Sequence, residues 1–502
     1  MVVIFVKDAN NTLQYNIDNI TKLIVNNSEL VVKKFFIGKE TCIESAIIYI
    51  DGLVNKNIID RDVLNPLMLH VKENLINIDK KEDYICKKYI TISSSYVEKD
   101  INKALDSLKR GKTLVLLENC SNFIILDTSG GEYRNISDHL NESSVRGPRD
   151  GFVENLSTNI SLLQRRLKQQ NLVTEKLVLG RRSETDIALM YIDDIVDKNL
   201  LEKIKNKINS IDIDSINTTG IMEQCIEQHT LSIFPQFFAT ERSDIVQANL
   251  LEGRIAILIE GTCFVITVPA VFVEFFQTVE DYYHRTIVSS AARILRYIAA
   301  FIVITLPSVY LTLIKFNSEL IPITFMQSII QSRQGIALTP FMSMISMNLI
   351  VEFLREGGLR LPGKIGQTLS VVGGIIIGDA AIQAKIISSV TLLIIGITTV
   401  ATFLIPNYEM SLSIRLLNYP MLILSNWLGM LGVGVTWFFI IAYLCSLDSF
   451  GVPYFSLYKN DMKDTFIRSP IWTMNKRPEV IPNNNSTRQT NFKLKFRRKK
   501  NG

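Results

Sequence analysis

Residues Tyr297–Ile314 read YIAAFIVITLPSVYLTLI, eighteen side chains without a single charge. An α-helix rises about 1.5 Å per residue, and a hydrocarbon core about 30 Å thick needs close to 20 apolar residues, with ~17 as the lower bound. One such stretch fits the core helix of a soluble protein as well as it fits a bilayer. Three more follow: Gly335–Val351, Ile386–Ile405 and Leu416–Leu447 are equally free of Asp, Glu, Lys and Arg. Four in succession favour lipid. A fifth, Ile365–Gly378, is only fourteen residues long and holds Gly366, Gly373, Gly374 and Gly378, so a re-entrant or interfacial element is expected there.

Charge orients the chain. The C-terminal end carries Lys493, Lys495, Arg497, Arg498, Lys499 and Lys500, and positive flanks stay on the cytoplasmic side. Four crossings keep both ends there and place Arg355, Arg360 and Lys364 in an inner loop. Leu320–Gln331 is then expected as a half-helix at the outer surface. Glu352, Asp379 and Lys385 fall at the edges of the apolar runs and are read as interfacial, where a charge costs little.

Polar side chains inside the apolar runs matter because lipid cannot satisfy them. Ser388, Thr391, Thr398 and Thr402 recur at helical spacing, and Thr339, Ser343 and Ser346 do the same in their own run. Such stripes line a pore or substrate path, or let helix backbones approach closely. Gly373, Gly374 and Gly378 belong to the same candidate pore or packing face, with Gly374–Gly378 a GxxxG match.

The chain has 502 residues and a formal net charge of +5, with a mean hydropathy of +0.20. Most of the charge lies before residue 290. The N-terminal Met-Val-Val-Ile-Phe-Val-Lys has no basic stretch leading into an apolar core of signal length, so the front region is expected in the cytoplasm. Six scattered cysteines form no zinc or dithiol spacing, and the four histidines are far apart. Arg110-Gly111-Lys112-Thr113 resembles the end of a phosphate-binding loop, but Asp106 stands where that loop needs glycine. No nucleophile–base pair or metal set appears, so neither catalysis nor a cofactor is expected.

The front region repeats itself at a constant offset of 142 residues. Ile47–Asp51 corresponds to Leu189–Asp193, Gly38 to Gly180, and Gly111-Lys112 to Gly253-Arg254. A second apolar run follows in each copy, Phe123–Leu126 and Phe264–Val268. Several landmarks at one offset argue for duplication. The order of strand, helices and a closing hairpin suggests a mixed sheet with helices against it.

The expected fold class is an α/β soluble region of two duplicated subdomains followed by an all-α transmembrane helical bundle. The expected boundaries are 1–142 and 168–287 for the subdomains, 143–167 for a linker and helix, 288–450 for the membrane region, and 451–502 for a basic, disordered cytoplasmic tail.

The linker opens with turn chemistry at Gly147-Pro148 and Asp150-Gly151, then becomes an amphipathic helix with Leu156, Ile160, Leu163 and Leu167 on one face. Arg146, Arg149, Asp150 and Glu154 are candidates for a buried or intersubunit ion-pair cluster; read blandly, the segment is a charged linker.

Arg146–Leu167 resembles the signature of A subunits of the GerA-type spore germinant receptors. Arg146, Pro148, Arg149, Asp150, Gly151, Phe152, Val153, Glu154 and Asn155 match its core, and Arg165-Arg166 its closing arginine pair. Further matches are Phe234-Pro235, Thr240-Glu241-Arg242, Leu251–Arg254, Val268-Pro269 and Glu280–Tyr283. In the apolar region they are Leu354–Pro362, Ile365-Gly366-Gln367, Val372-Gly373-Gly374 and Ile405–Tyr408. Asp379 departs from the uncharged polar residue the family leads one to expect.

The resemblance implies a multi-pass protein of the spore inner membrane, working with a transporter-like B subunit and a lipoprotein C subunit. It implies a homo-oligomeric ring, with a pentamer as the expected count, that conducts ions when a germinant binds; no nucleic acid enters the reading. A nutrient transporter and a non-conducting receptor scaffold are the rival functions.

Overall fold

The computed structural model describes residues 13–24, 28–38, 42–73, 75, 78, 80–130, 142, 146–360, 363–456, 458 and 461–490, with the backbone alone described over 363–372. The chain divides into two compact units. One holds residues 1–228, 237–269 and 475–492; the other holds 229–236, 270–474 and 493–502.

The first half of the first unit runs α1 (Leu13–Leu23), β1 (Leu30–Ile37), β2 (Ile43–Ile50), α2 (Lys56–Ile59), α3 (Lys81–Lys88), β3 (Ser95–Glu98), α4 (Ile101–Lys109), β4 (Thr113–Leu117) and β5 (Phe123–Leu126). After α5 (Leu156–Arg166), the second half runs β6 (Leu172–Leu179), β7 (Thr185–Ile192), α6 (Lys198–Asn209), α7 (Thr219–Ile226), β8 (Phe238–Thr240), α8 (Ser243–Glu252), β9 (Ile255–Ile259) and β10 (Val265–Val268). The two sheets have the same order, β1-β2-β4-β5-β3 and β6-β7-β9-β10-β8. Their registers also match: Leu30 faces Ile50 and Leu172 faces Ile192, each 142 residues on. The duplication is therefore structural.

Two expectations change here. Every strand pair in both sheets is antiparallel, so the sheets are not mixed. Parallel neighbours need a single crossover connection; here the chain leaves β2 through more than one helical segment and re-enters the sheet in the opposite sense. In addition, α5 is no linker helix. It stands 143 residues after α1 and is the first element of the second repeat.

Alternation along the central strands explains the layering. Ile43 and Ile47 join Val115, Leu117, Ile124 and Leu126 in one core with Ile85 and Cys86 of α3. Ala46, Ile48 and Ile50 join Leu114, Leu116 and Ile125 in another with Ile17 and Ile20 of α1 and Leu105 and Leu108 of α4. A strand with apolar residues on both faces must be covered on both. In the second half, Leu156, Ile160 and Leu163 of α5 pack with Val246 and Leu250 of α8 against Ala188, Met190 and Leu258.

The second unit is helical: α9 (Glu280–Tyr283), α10 (Thr286–Lys315), α11 (Ile323–Arg333), α12 (Pro340–Leu359), α13 (Gly363–Gln383), α14 (Ser389–Thr402), α15 (Tyr408–Leu428) and α16 (Met430–Ser446). By length and composition α10 is able to cross a membrane. The other apolar runs divide differently from the expectation. Ile386–Ile405 yields a helix of 14 residues because the Ser388 side chain caps it, accepting from the Thr391 N–H. Leu416–Leu447 is two helices, broken at Gly429, whose φ of +62° suits glycine. At Gly432 a Cβ would lie 2.3 Å from the Leu424 carbonyl oxygen, so glycine lets the two helices fold back on each other. Ile365–Gly378 lies within α13, a helix of 21 residues rather than a short element. Leu320–Gln331 overlaps α11.

Residues beyond 451 also depart from the expected tail. Met462–Thr465 is helical, and in the first unit Arg477 donates to the Leu251 carbonyl at 2.6 Å while the Asn484 amide donates to the Val196 carbonyl at 2.7 Å. The six basic residues at 493–500 lie outside the described residues.

At the base of α10, within the second unit, the Asp281 carboxylate is held by Arg296, Arg293 and Thr278. Arg296 grips it at 2.8 and 2.9 Å, and Arg293 reaches it at 3.2 Å. Arg293, fully buried, also pairs with Asp464 at 2.9 Å. Burial pushes the Asp281 carboxyl up, but the Arg296 hydrogen bonds and charge and the Arg293 charge outweigh it and hold it below the usual carboxylate range. A carboxylate lowered in the folded state stabilises fully above its unfolded pKa of about 3.9, and that contribution is lost as pH falls through the folded value. We predict that Asp281→Asn lowers the melting temperature near neutral pH and that the gap from wild type narrows below about pH 4; a gap independent of pH would contradict this.

Candidate functional site

The signature residues scatter over the first unit in a way that spacing could not show. Asn155 caps α5 by accepting from the Thr158 N–H at 2.9 Å, and Glu260 accepts from the Leu156 N–H at 2.6 Å, placing a carboxylate at the helix N-terminus. Asn159 turns inward and bonds both the N–H and the carbonyl of Val153. Arg165 donates to the carbonyls of Gly52 and Gly130, at 3.2 and 3.1 Å, so it ties the second repeat to the first. Gly52 has φ +75°, and a Cβ there would sit 2.0 Å from Ser161 Oγ of α5. That approach needs glycine.

The residues of the expected ion-pair cluster are not buried within the chain. Arg146, Arg149, Asp150 and Glu154 are exposed and Pro148 is half-buried. Asp150 instead pairs with Arg166 at 2.5 Å, and Gly151 forms an isolated antiparallel bridge with Arg242. Glu154 contributes its carbonyl, which accepts from the Gly261 N–H at 2.8 Å. The segment is an exposed edge of the second repeat, from which Arg165 reaches across to the first while Arg166 stays within the second.

In the second unit, the hydroxyl stripe faces inward. Ser388, Thr391, Thr398 and Thr402 are all buried. Ser388 and Thr391 share a hydrogen bond of 2.9 Å, and Thr391 meets Tyr310 of α10 at 3.3 Å. Thr398 and Thr402 donate to carbonyls three residues back, at 2.8 and 2.6 Å, leaving oxygen lone pairs on the helix face. The glycines divide. Cβ atoms at Gly373 and Gly378 would meet Leu354 and Leu392 at 3.3 and 3.5 Å, whereas nothing lies within 4 Å of one at Gly374. Gly374–Gly378 is thus not a packing pair inside this chain. Asp379 is exposed and accepts from Gln383 at 2.6 Å.

The stripe borders a charged chamber of about 30 Å³ between α10, α12, α14 and α15. Glu352 accepts from Arg415 at 2.9 and 3.2 Å and from Arg355 at 3.0 Å, and Arg355 also donates to Thr402 at 3.4 Å. Arg415, with only 9% of its side chain exposed, is the most enclosed of the three. Asn348, Thr399, Asn418 and Tyr419 complete the polar lining. Glu352 lies within α12, seven residues before its end, and pairs across to Arg415 of α15.

Sequence reasoning missed this site because the charges sit just outside charge-free runs. The signal lay in the spacing. Asn348, Glu352 and Arg355 share one face of α12, and Arg415 and Asn418 one face of α15.

A profile of the family described as Bacillus/Clostridium GerA spore germination protein matches residues 18–480. The chain is 38% identical to spore germination protein KA of Bacillus subtilis, over 95% of this chain and 88% of that one. It is 36% identical to the uncharacterized membrane protein YfkQ of the same organism, over 94% and 92%, and 34% identical to its spore germination protein B1, over 93% and 96%. A crystal structure of the N-terminal domain of the A subunit of the Bacillus megaterium spore germinant receptor GerK3 is 32% identical, covering 53% of this chain and 98% of that one at a TM-score of 0.43.

Arg165→Ala leaves two carbonyls without their charged donor. A net loss of about 1.5–3 kcal/mol applies to such bonds, and the half-exposed position puts the expectation at the lower end. Chemical denaturation of the variant checks it, and an unchanged midpoint would show that Arg165 ties nothing.

Proposed function

The chain belongs to the Bacillus/Clostridium GerA family of spore germination proteins, among its A-type members, and from that premise we propose that it is the A subunit of a nutrient-responsive germinant receptor whose helical unit forms an oligomeric ion channel. Receptors of this family work with B and C subunits, and the same partners are proposed here. The proposed location is the spore inner membrane, with several of α10–α16 crossing it and the N- and C-terminal regions in the cytoplasm.

The inside-out polarity of the helical unit carries the reading. Arg415, Asn418, Thr305, Ser308 and Thr398 are buried, while Phe353 is 69% exposed, Phe403 76%, Trp427 73% and Phe438 68%. In water this distribution would be reversed. In lipid, aromatic and aliphatic side chains face outward without cost, and ionisable groups turn to the interior or to a water-filled path. That a relative is named a membrane protein supports the same location.

Channel opening then requires a two-state equilibrium in the A subunit that a nutrient-bound partner biases. A ligand with equal affinity for both states shifts nothing. The two repeats, joined by Arg165 and by contacts of Ser28 and Glu29 with the second repeat, are the rigid part of such a device, and the hydroxyl and charged interior of the helices is the part where ions would meet protein.

The direct test reconstitutes A, B and C subunits in liposomes and follows ion release on adding nutrient. We expect nutrient-dependent flux that falls at least tenfold in the Thr398→Leu/Thr402→Leu double variant, with receptor levels unchanged. Absence of any nutrient-dependent flux with all subunits present would end the channel reading, and full flux in the double variant would move the path away from α14.

A further inference from the structure

We propose that the chamber between α12, α14 and α15 is a binding site for a small monovalent anion of halide size. The argument begins with charge. Arg355 and Arg415 are permanently cationic, and among the described residues that line the chamber Glu352 is the one acid. The Glu352 carboxylate is shared between both guanidinium groups, at 3.0 and 2.9 Å. The cluster therefore carries one positive charge too many, inside helices whose outer faces are apolar. An uncompensated ion in such surroundings is strongly destabilising, and a bound counter-ion removes the imbalance.

Space and donors agree with charge. The chamber, about 30 Å³, has room for about two water molecules or a single halide. Asn348 Nδ2 is a buried donor without a hydrogen-bond partner, and Asn418, more than nine-tenths buried, also has its amide oxygen without one. An amide turned about its last bond exchanges oxygen for nitrogen, so in the occupied chamber Asn418 offers a second N–H. The hydroxyl protons of Thr398, Thr399 and Thr402 are committed to backbone carbonyls, so the anion's donors come from the two amides, the guanidinium groups and the Tyr419 hydroxyl. A cation would find the threonine lone pairs but would meet the excess positive charge.

Binding is read on the full-length chain alone, so it can fail or succeed independently of ion flux in the assembled receptor. The chain is placed in nanodiscs of phosphatidylcholine and melted in potassium bromide or chloride against potassium gluconate at equal ionic strength. We expect a saturable rise in Tm of about 3 °C or more in halide. Glu352→Gln, which removes the competing carboxylate, strengthens halide binding. Asn348→Asp, which fixes a negative charge in the chamber, abolishes it. Asn348→Ala, the mildest change, weakens it about tenfold by deleting one donor. Equal melting of the wild type in halide and gluconate overturns the proposal, which leaves water as the occupant. A halide shift of undiminished affinity in Asn348→Ala or Asn348→Asp overturns it as well.

Discussion

A charged or hydroxyl group withdrawn from water has to find its partner inside the protein, and in the helical unit that constraint fixes which helices touch. Glu352 is satisfied only because Arg355 lies one turn along α12 and Arg415 reaches across from α15. Thr391 is satisfied by Ser388 on its own helix and by Tyr310 on α10. In the proposed membrane setting such helices gain little from burying Leu against Leu, since lipid tails are equally apolar. Specific polar contacts and close glycine approaches, such as Gly432 against Leu424, are what remain to set their arrangement.

The repeats of the first unit cohere differently. The central strands of the first repeat are apolar and packed on both faces, and a set of polar contacts joins one repeat to the other. Arg165 is such a joint. Its guanidinium serves the carbonyls of Gly52 and Gly130 at the edge of the first repeat while its helix is packed into the second. The arginine pair then divides its labour: Arg165 crosses between the repeats, and Arg166 steadies the approach to α5 through Asp150.

Much of this was legible in the chain. The 142-residue offset named the repeat and located β2, β4 and β5 and their copies, because those strands carry their apolar pattern without interruption. The edge strands β1 and β6 were not seen as strands, since Lys33, Lys34, Glu175 and Lys176 mask the alternation on a face open to solvent. The kinship of α1 and α5 was hidden for a related reason: an amphipathic helix keeps only the period of its apolar residues, and their identities differ between copies. In the helical unit, counting uncharged residues found where helices lie but not where they end. Charge-free runs ignore Gly429 and the Ser388 cap, which stop helices without any charge. They also hide Glu352 and Arg415, which belong to helix interiors because each has the other as a partner.

The same contrast suggests how a signal could enter the helices. The last strand of the second repeat, β10, leads by sequence into Phe272–Phe276, then α9, then α10. At that junction Asp281 binds Arg296 through two oxygens and shares Arg293 with Asp464, and Tyr282 donates to Asp464 at 2.6 Å. A buried network of this kind is satisfied in one arrangement and badly satisfied in its neighbours, so it moves as a block or breaks rather than yielding gradually. Any rotation imposed on the start of α10 would therefore arrive at Tyr310 and the polar face of α14 as a rigid-body motion. Both charged clusters along this route keep an unmatched polar atom: Arg293 Nη2 at the base, and Asn348 Nδ2 and Asn418 Oδ1 in the chamber. An unmatched buried donor or acceptor costs its full desolvation, so each cluster is a place where a second arrangement of the helices could gain a bond that this one lacks.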